Sequence, residues 1–174
     1  SYEGTITKPD SPQVYIPQQI SENLQTLTLN DYFFADSYDL DYATLYRLAD
    51  ELHFDSERFA SNQLISTLSG GEKLKIQFIR ELARPHDIIF LDEPSNDMDL
   101  TTITWLKDFI KHSDKTIIYI SHDEDLLSQT ADTIIHLELL KRRRQARTSV
   151  EHLDYDNYSQ QRSDAFQQQM QQAK

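Results

Sequence analysis

Apolar residues fall at 74, 78, 79 and 82, spacing that predicts an amphipathic helix opening after Ser69, with Lys73, Lys75, Gln77, Arg80 and Glu81 around its polar side. Short apolar runs read as strands at Gln13–Ile16, Asp87–Leu91, Thr116–Ile120 and Thr133–Glu138, with another at Thr5–Thr7 before the turn Lys8-Pro9-Asp10-Ser11-Pro12. Between the strands lie helical stretches. Asp99 is placed to cap a helix over Leu100–Lys111, whose Ile103, Leu106, Phe109 and Ile110 form one stripe, and Asp123–Ala131 reads as another. Strands alternating with helices predict an α/β fold with a parallel or mostly parallel sheet.

The segment 21–67 breaks this rhythm. It holds neither glycine nor proline, and Leu24, Leu27, Leu29, Leu40, Leu45, Leu48, Leu52 and Phe59 are its candidate core. It reads as two or three short helices forming their own subdomain. Residues 31–58 carry eight acids against two arginines, a solvated face before anything else. With no cysteine there is no disulfide or thiolate metal site, and no run of eighteen apolar residues spans a membrane. The net charge of −12 argues against broad nucleic-acid binding. One basic cluster, Lys141-Arg142-Arg143-Arg144 with Arg147, stands against that background; it is a solvated connector or a contact for RNA or phosphate.

Candidate chemistry gathers in two places. The chain has three glycines, and Gly70 and Gly71 sit side by side inside Leu68-Ser69-Gly70-Gly71-Glu72, so backbone approaches something closely there. Ser69 and Glu72 have capping-box spacing, and a helix N-terminus with adjacent glycines is able to receive phosphate. The strand Ile88–Leu91 ends in Asp92-Glu93-Pro94, where open α/β sheets bind ligands. Adjacent residues on a strand point to opposite faces, so Asp92 and Glu93 are expected to take different tasks, one toward Mg²⁺ and one toward a water. The histidines other than His122 show no metal-ligand spacing.

In that order and spacing, LSGGE, IIFLDEP, Ser95-Asn96-Asp97-Met98-Asp99 and Ile120-Ser121-His122-Asp123 resemble the signature, Walker B strand, D-loop and switch histidine of an ABC-type ATPase domain. The resemblance covers roughly residues 1–140. It implies a partial ABC ATPase fold, α/β with a mostly parallel sheet: core 1–20 and 68–140, helical subdomain 21–67, and 141–174 as a basic connector leading into a linker helix. It also implies ATP and Mg²⁺ as cofactors. Leu68, Ser69, Gly70, Gly71, Glu72 and Asp99 would serve nucleotide and dimer contacts; Asp92 would hold Mg²⁺; Glu93 would be the base. His122 would meet the γ-phosphate. Val14-Tyr15-Ile16-Pro17-Gln18 resembles the Q-loop, making Gln18 the residue that meets the water and the metal, partly through water, with Gln19 one register away. The phosphate-cradling Walker A loop needs glycines this chain lacks, so the chain is expected to begin partway through a domain and to bind ATP weakly alone.

The stretch Tyr155–Arg162, followed by a glutamine-rich tail, resembles the segment that in ABC-F proteins opens the linker to a second ABC domain. That branch implies a cytoplasmic, ribosome-binding ATPase acting in translation or antibiotic resistance. The alternatives are the nucleotide-binding subunit of a membrane transporter, with transmembrane subunits as partners, and a non-enzymatic remnant. Asp97 departs from the usual D-loop, which has histidine there, and adds charge beside the carboxylate pair.

Overall fold

Three parallel strands form the sheet that positions the candidate site: β1 (Gln13–Ile16), β2 (Ile88–Asp92) and β3 (Thr116–Ile120), side by side in that order. The computed structural model describes residues 10–35, 39–139, 146–152 and 154–172. The expected strand at Thr5–Thr7, the stretch Lys141–Arg144 and the tail's last two residues lie outside them. The register pairs Ile16 with Leu91 and Asp92 with Ile120, which brings the carboxyl ends of the three strands to one edge. β2 is central, and its Ile89 and Leu91 are buried on one face while Ile88, Phe90 and Asp92 on the other are half-buried.

The long segment between β1 and the next core helix is helical: α1 (Glu22–Gln25), α2 (Leu29–Phe34), α3 (Tyr42–Glu51) and two 3₁₀ turns, Ser56–Ala60 and Ile65–Thr67. Each longer helix starts where a short polar side chain takes an orphan amide, Thr28 from Asp31 and Asp41 from Ala43. Leu29, Phe33, Leu45, Leu48, Leu52 and Phe59 are buried, with Phe59 packed on Phe33 at 4.2 Å and on Phe54 at 5.7 Å between ring centres. Leu24, Leu27 and Leu40 are only half-buried. Two backbone bonds, Leu29 N to Gln63 O and Ile65 N to Leu27 O, fold the end of the segment back on its start. Asp41 N donates to Ala83 O at 2.8 Å, tying α3 to the end of the next helix.

That helix, α4 (Gly70–Leu82), buries Leu74, Ile76, Gln77, Phe78, Ile79 and Leu82. The buried face is wider than the expected stripe, because Ile76 and Gln77 also face inward. After β2, α5 (Leu100–His112) is capped by Asp99, whose Oδ1 accepts from Thr102 N at 2.7 Å. Of its expected stripe only Leu106 is fully buried. Trp105 stacks on Phe109, meets Phe78 edge-on, and donates its indole N–H to Glu51 Oε2 at 3.0 Å.

The chain divides into two units, one ending at Ile120 and one starting at Ser121. The second holds α6 (Glu124–Thr130), β4 (Ile134–Leu139), β5 (Ala146–Glu151) and α7 (Tyr155–Gln172). Here the structure corrects two expectations. The expected last strand of the parallel sheet starts one residue later and pairs antiparallel with β5, so it belongs to a separate hairpin. Part of the expected connector is itself a strand, whose Arg147, Thr148, Ser149 and Glu151 gave no apolar run to reveal it. The tyrosines of the Tyr155–Arg162 stretch anchor α7 within this unit: Tyr158 meets His136 of β4 through its hydroxyl, and the Tyr155 hydroxyl faces Glu124 of α6.

Candidate functional site

Leu68 ends the second 3₁₀ turn as a buried residue, and Ser69 then caps α4. Ser69 Oγ accepts from Glu72 N at 3.2 Å while Glu72 Oε2 accepts from Ser69 N at 3.0 Å, the reciprocal box the spacing predicted. Glu72 has a second task. Its Oε1 accepts from Arg58 Nη1 at 2.7 Å, and Arg58 also donates through Nε and Nη2 to Gln63 Oε1 and lies over the Phe54 ring. The Ser69 amide first, and then Arg58, hold the Glu72 carboxyl below its ordinary value.

Gly70 and Gly71 are the first two residues of α4, whose amides have no acceptor within the helix. The close approach the glycines implied has a partner inside the chain. A Cβ on Gly71 would lie 3.2 Å from the carbonyl oxygen of Asp97, and one on Gly70 would lie 3.4 Å from the Asp97 side chain. Asp97 reaches this position with φ of 60°, a left-handed backbone that aspartate tolerates better than most residues. Lys75 of α4 reaches Asp99 Oδ2 at 3.6 Å. The hydroxyl and amide of Thr102, and then Lys75, hold the Asp99 carboxyl below its ordinary value. Residues 69–75 and 97–99 therefore form one packed element.

Asp92 closes β2, and Tyr15 of β1 donates its hydroxyl to Asp92 Oδ2 at 3.1 Å. Partial desolvation, and after it the bond to Asp92, raise the Tyr15 hydroxyl above its ordinary value, so it remains a donor at neutral pH. Glu93 lies beyond the strand. Its φ of 48° turns the chain into the left-handed region, and its amide donates to Ile120 O at 2.9 Å. Glu93 is therefore not on the strand with Asp92, so the expected strand alternation does not apply to this pair. Such a backbone costs on the order of 1 kcal/mol and is found where a site demands it. Asn96 N returns to Glu93 O and closes the following turn. Gln18, exposed in a bend two residues after β1, follows the strand end that neighbours Asp92.

His122 lies in the second unit, exposed, in the loop before α6. Two site contacts were not legible beforehand. Tyr15 meets Asp92 only through the β1–β2 register, and Arg58 meets Glu72 only because the helical segment folds back. Among the described residues no group of three or more His, Cys, Asp or Glu is arranged to hold a metal ion. A lone strand-end carboxylate nonetheless suits Mg²⁺, which takes one or two carboxylates and completes its shell with phosphate and water. No helix among the described residues is long and apolar enough to cross a membrane.

A family model described as ABC transporter matches residues 3–96, more than half of the chain. Elongation factor 3 of Candida glabrata is 30% identical over 142 residues, covering 82% of this chain and 13% of that protein. The ATP-binding protein Uup of Buchnera aphidicola is 42% identical over 77 residues, covering 44% of this chain and 13% of that one. [NU+] prion formation protein 1 of Saccharomyces cerevisiae is 40% identical over 86 residues, 49% of this chain and 7% of the relative. The chain thus spans between 7 and 13% of the length of these relatives. Among solved structures, RNase-L Inhibitor superposes with a TM-score of 0.60 at 24% identity, covering 84% of this chain and 28% of the other, which speaks to the fold.

Proposed function

The chain belongs to the ABC transporter family, and from that premise we propose that it is the nucleotide-hydrolysing part of an ABC-F type protein acting on the ribosome, paired with a second ABC domain. The observation that carries the reading is the close approach of Gly70, Gly71 and Lys75 to Asp97 and Asp99, which follow the Asp92 strand end by a few residues. Similarity to elongation factor 3 over most of the chain supports a role in translation. The Tyr155–Arg162 stretch, anchored to its unit by Tyr155 and Tyr158, supports the ABC-F branch over a transporter subunit.

In this reading Ser69, Gly70 and Gly71 would receive the γ-phosphate of an ATP held by the second domain. The Ser69 hydroxyl accepts from Glu72 N and keeps its own hydrogen to donate, and the first two amides of α4 point outward from the helix end. Asp92 would hold Mg²⁺, Glu93 would take the proton from the attacking water and Gln18 would orient that water, while His122, carried by the second unit, would serve the phosphate. Mg²⁺·ATP, when bound, supplies the phosphoryl group and the cation that offsets its charge. Asp99 has a structural task, capping α5, beside its contact across the domain pair.

The test is ATP-dependent co-sedimentation with ribosomes of the Glu93→Gln protein, its partner ABC domain present. Removing the base while keeping its shape is expected to slow turnover by about 100-fold or more and to trap the ribosome-bound form. Unchanged hydrolysis sinks the role of Glu93. Failure to pellet, with recovery beside membrane subunits, moves the chain to a transporter.

A further inference from the structure

Tyr15 stands third in β1, and its pairing with Phe90 puts it on the sheet face that Asp92, two residues further along β2, also occupies. Its hydroxyl donates to Asp92 Oδ2 at 3.1 Å, joining residues 77 apart in sequence. Among the described residues this is the one hydrogen bond made by the Asp92 side chain, so Oδ1 keeps its lone pairs for another ligand. Tyr15 is 55% exposed, so burial of its ring contributes little; the bond to Asp92 is the specific interaction at this position. A neutral hydroxyl restricts how the carboxylate turns without cancelling its charge. That is what a supporting partner of a metal-binding carboxylate does.

We propose that Tyr15 is a positioning residue, fixing the orientation in which the Asp92 carboxylate meets a hydrated Mg²⁺. This rests on the reading of Asp92 as the metal carboxylate, and the experiment separates the two. The full chain, ¹⁵N-labelled, is titrated with Mn²⁺ as a paramagnetic stand-in for Mg²⁺, and broadening of the Leu91, Asp92 and Glu93 amides is followed, with Mg²⁺ as competitor. Tyr15→Phe keeps the ring and removes the bond; Asp92→Asn removes the ligand. Thermal unfolding of each variant is recorded in parallel, since a merely structural role would lower the midpoint and leave the affinity of the folded protein alone.

Broadening centred on residue 92 is expected in the unsubstituted chain. It should be abolished by Asp92→Asn and shifted to about 10-fold higher Mn²⁺ by Tyr15→Phe, with little change in the unfolding midpoint. If Asp92→Asn abolishes the effect while Tyr15→Phe binds as before, or more tightly, the role of Tyr15 is overturned and that of Asp92 stands. If broadening is spread over the acidic surface and Asp92→Asn leaves it unchanged, the metal reading of Asp92 falls and the proposal falls with it.

Discussion

Substitution of Glu72 separates the two bonds its carboxylate makes, one within the cap of α4 and one to the helical segment before it. Glu72 accepts from Ser69 N through Oε2 and from Arg58 through Oε1, and both partners of the ion pair are about two-thirds buried. Glu72→Gln keeps an acceptor for the box but removes the charge opposite Arg58, a loss of about 1 kcal/mol. Glu72→Ala removes both and should cost about 2 kcal/mol, which for a chain of this size lowers the melting temperature by roughly 4–8 °C. Ser69→Ala, which removes only the acceptor for Glu72 N, should cost about 1 kcal/mol. Urea denaturation of the three variants measures each difference directly. The pH dependence supplies the sign. The folded Glu72 carboxyl titrates below its ordinary value of 4.5, so its stabilisation is present above that value and is lost as pH falls through the lower folded one. The gap between wild type and Glu72→Gln should therefore be full at pH 6 and narrow as pH falls below 4.5. A gap that does not narrow as pH falls below 4.5, or a Gln variant as unstable as the Ala variant, would refute the assignment of the two bonds.

Gly71→Ala places a methyl 3.2 Å from the Asp97 carbonyl. The gain in helix propensity, up to about 1 kcal/mol, should be offset by displacement of the turn, so stability changes little while the Asp97 and Met98 amide resonances move; shifts confined to residues 70–72 would contradict this. Phe59→Ala empties a site surrounded by Phe33, Phe54 and Tyr46 and should cost about 4 kcal/mol by urea denaturation, a value under 2 being inconsistent with that packing. Trp105 is the chain's one tryptophan, so Glu51→Ala, which strips the acceptor from its indole N–H, should shift the emission maximum and cost about 1 kcal/mol. An unchanged spectrum would show that the bond is not made in solution.

Local signals carried much of this protein. The Ser69–Glu72 box, the Asp99 cap and the run Ile88–Leu91 depend on residues within a few positions of one another, and short-range chemistry is written in order along the chain. The strand-end carboxylates could be read the same way, although Glu93 was expected on the strand and lies beyond it. The turn at Glu93, with φ of 48°, depends on its amide reaching Ile120 in the neighbouring strand, a contact no pattern around residue 93 reports. The same holds for β5, a polar strand recognisable only once β4 lies beside it, and for the glycine pair, whose nearest neighbour within the chain is the Asp97 turn. Periodicity and capping are local properties that a sequence determines by itself. Which strand neighbours which, and so whether Tyr15 meets Asp92 or Arg58 meets Glu72, is decided only when residues tens of positions apart pack together. Those contacts depend on loop closure and on shared burial, and neither leaves a mark on the short window from which a sequence is read.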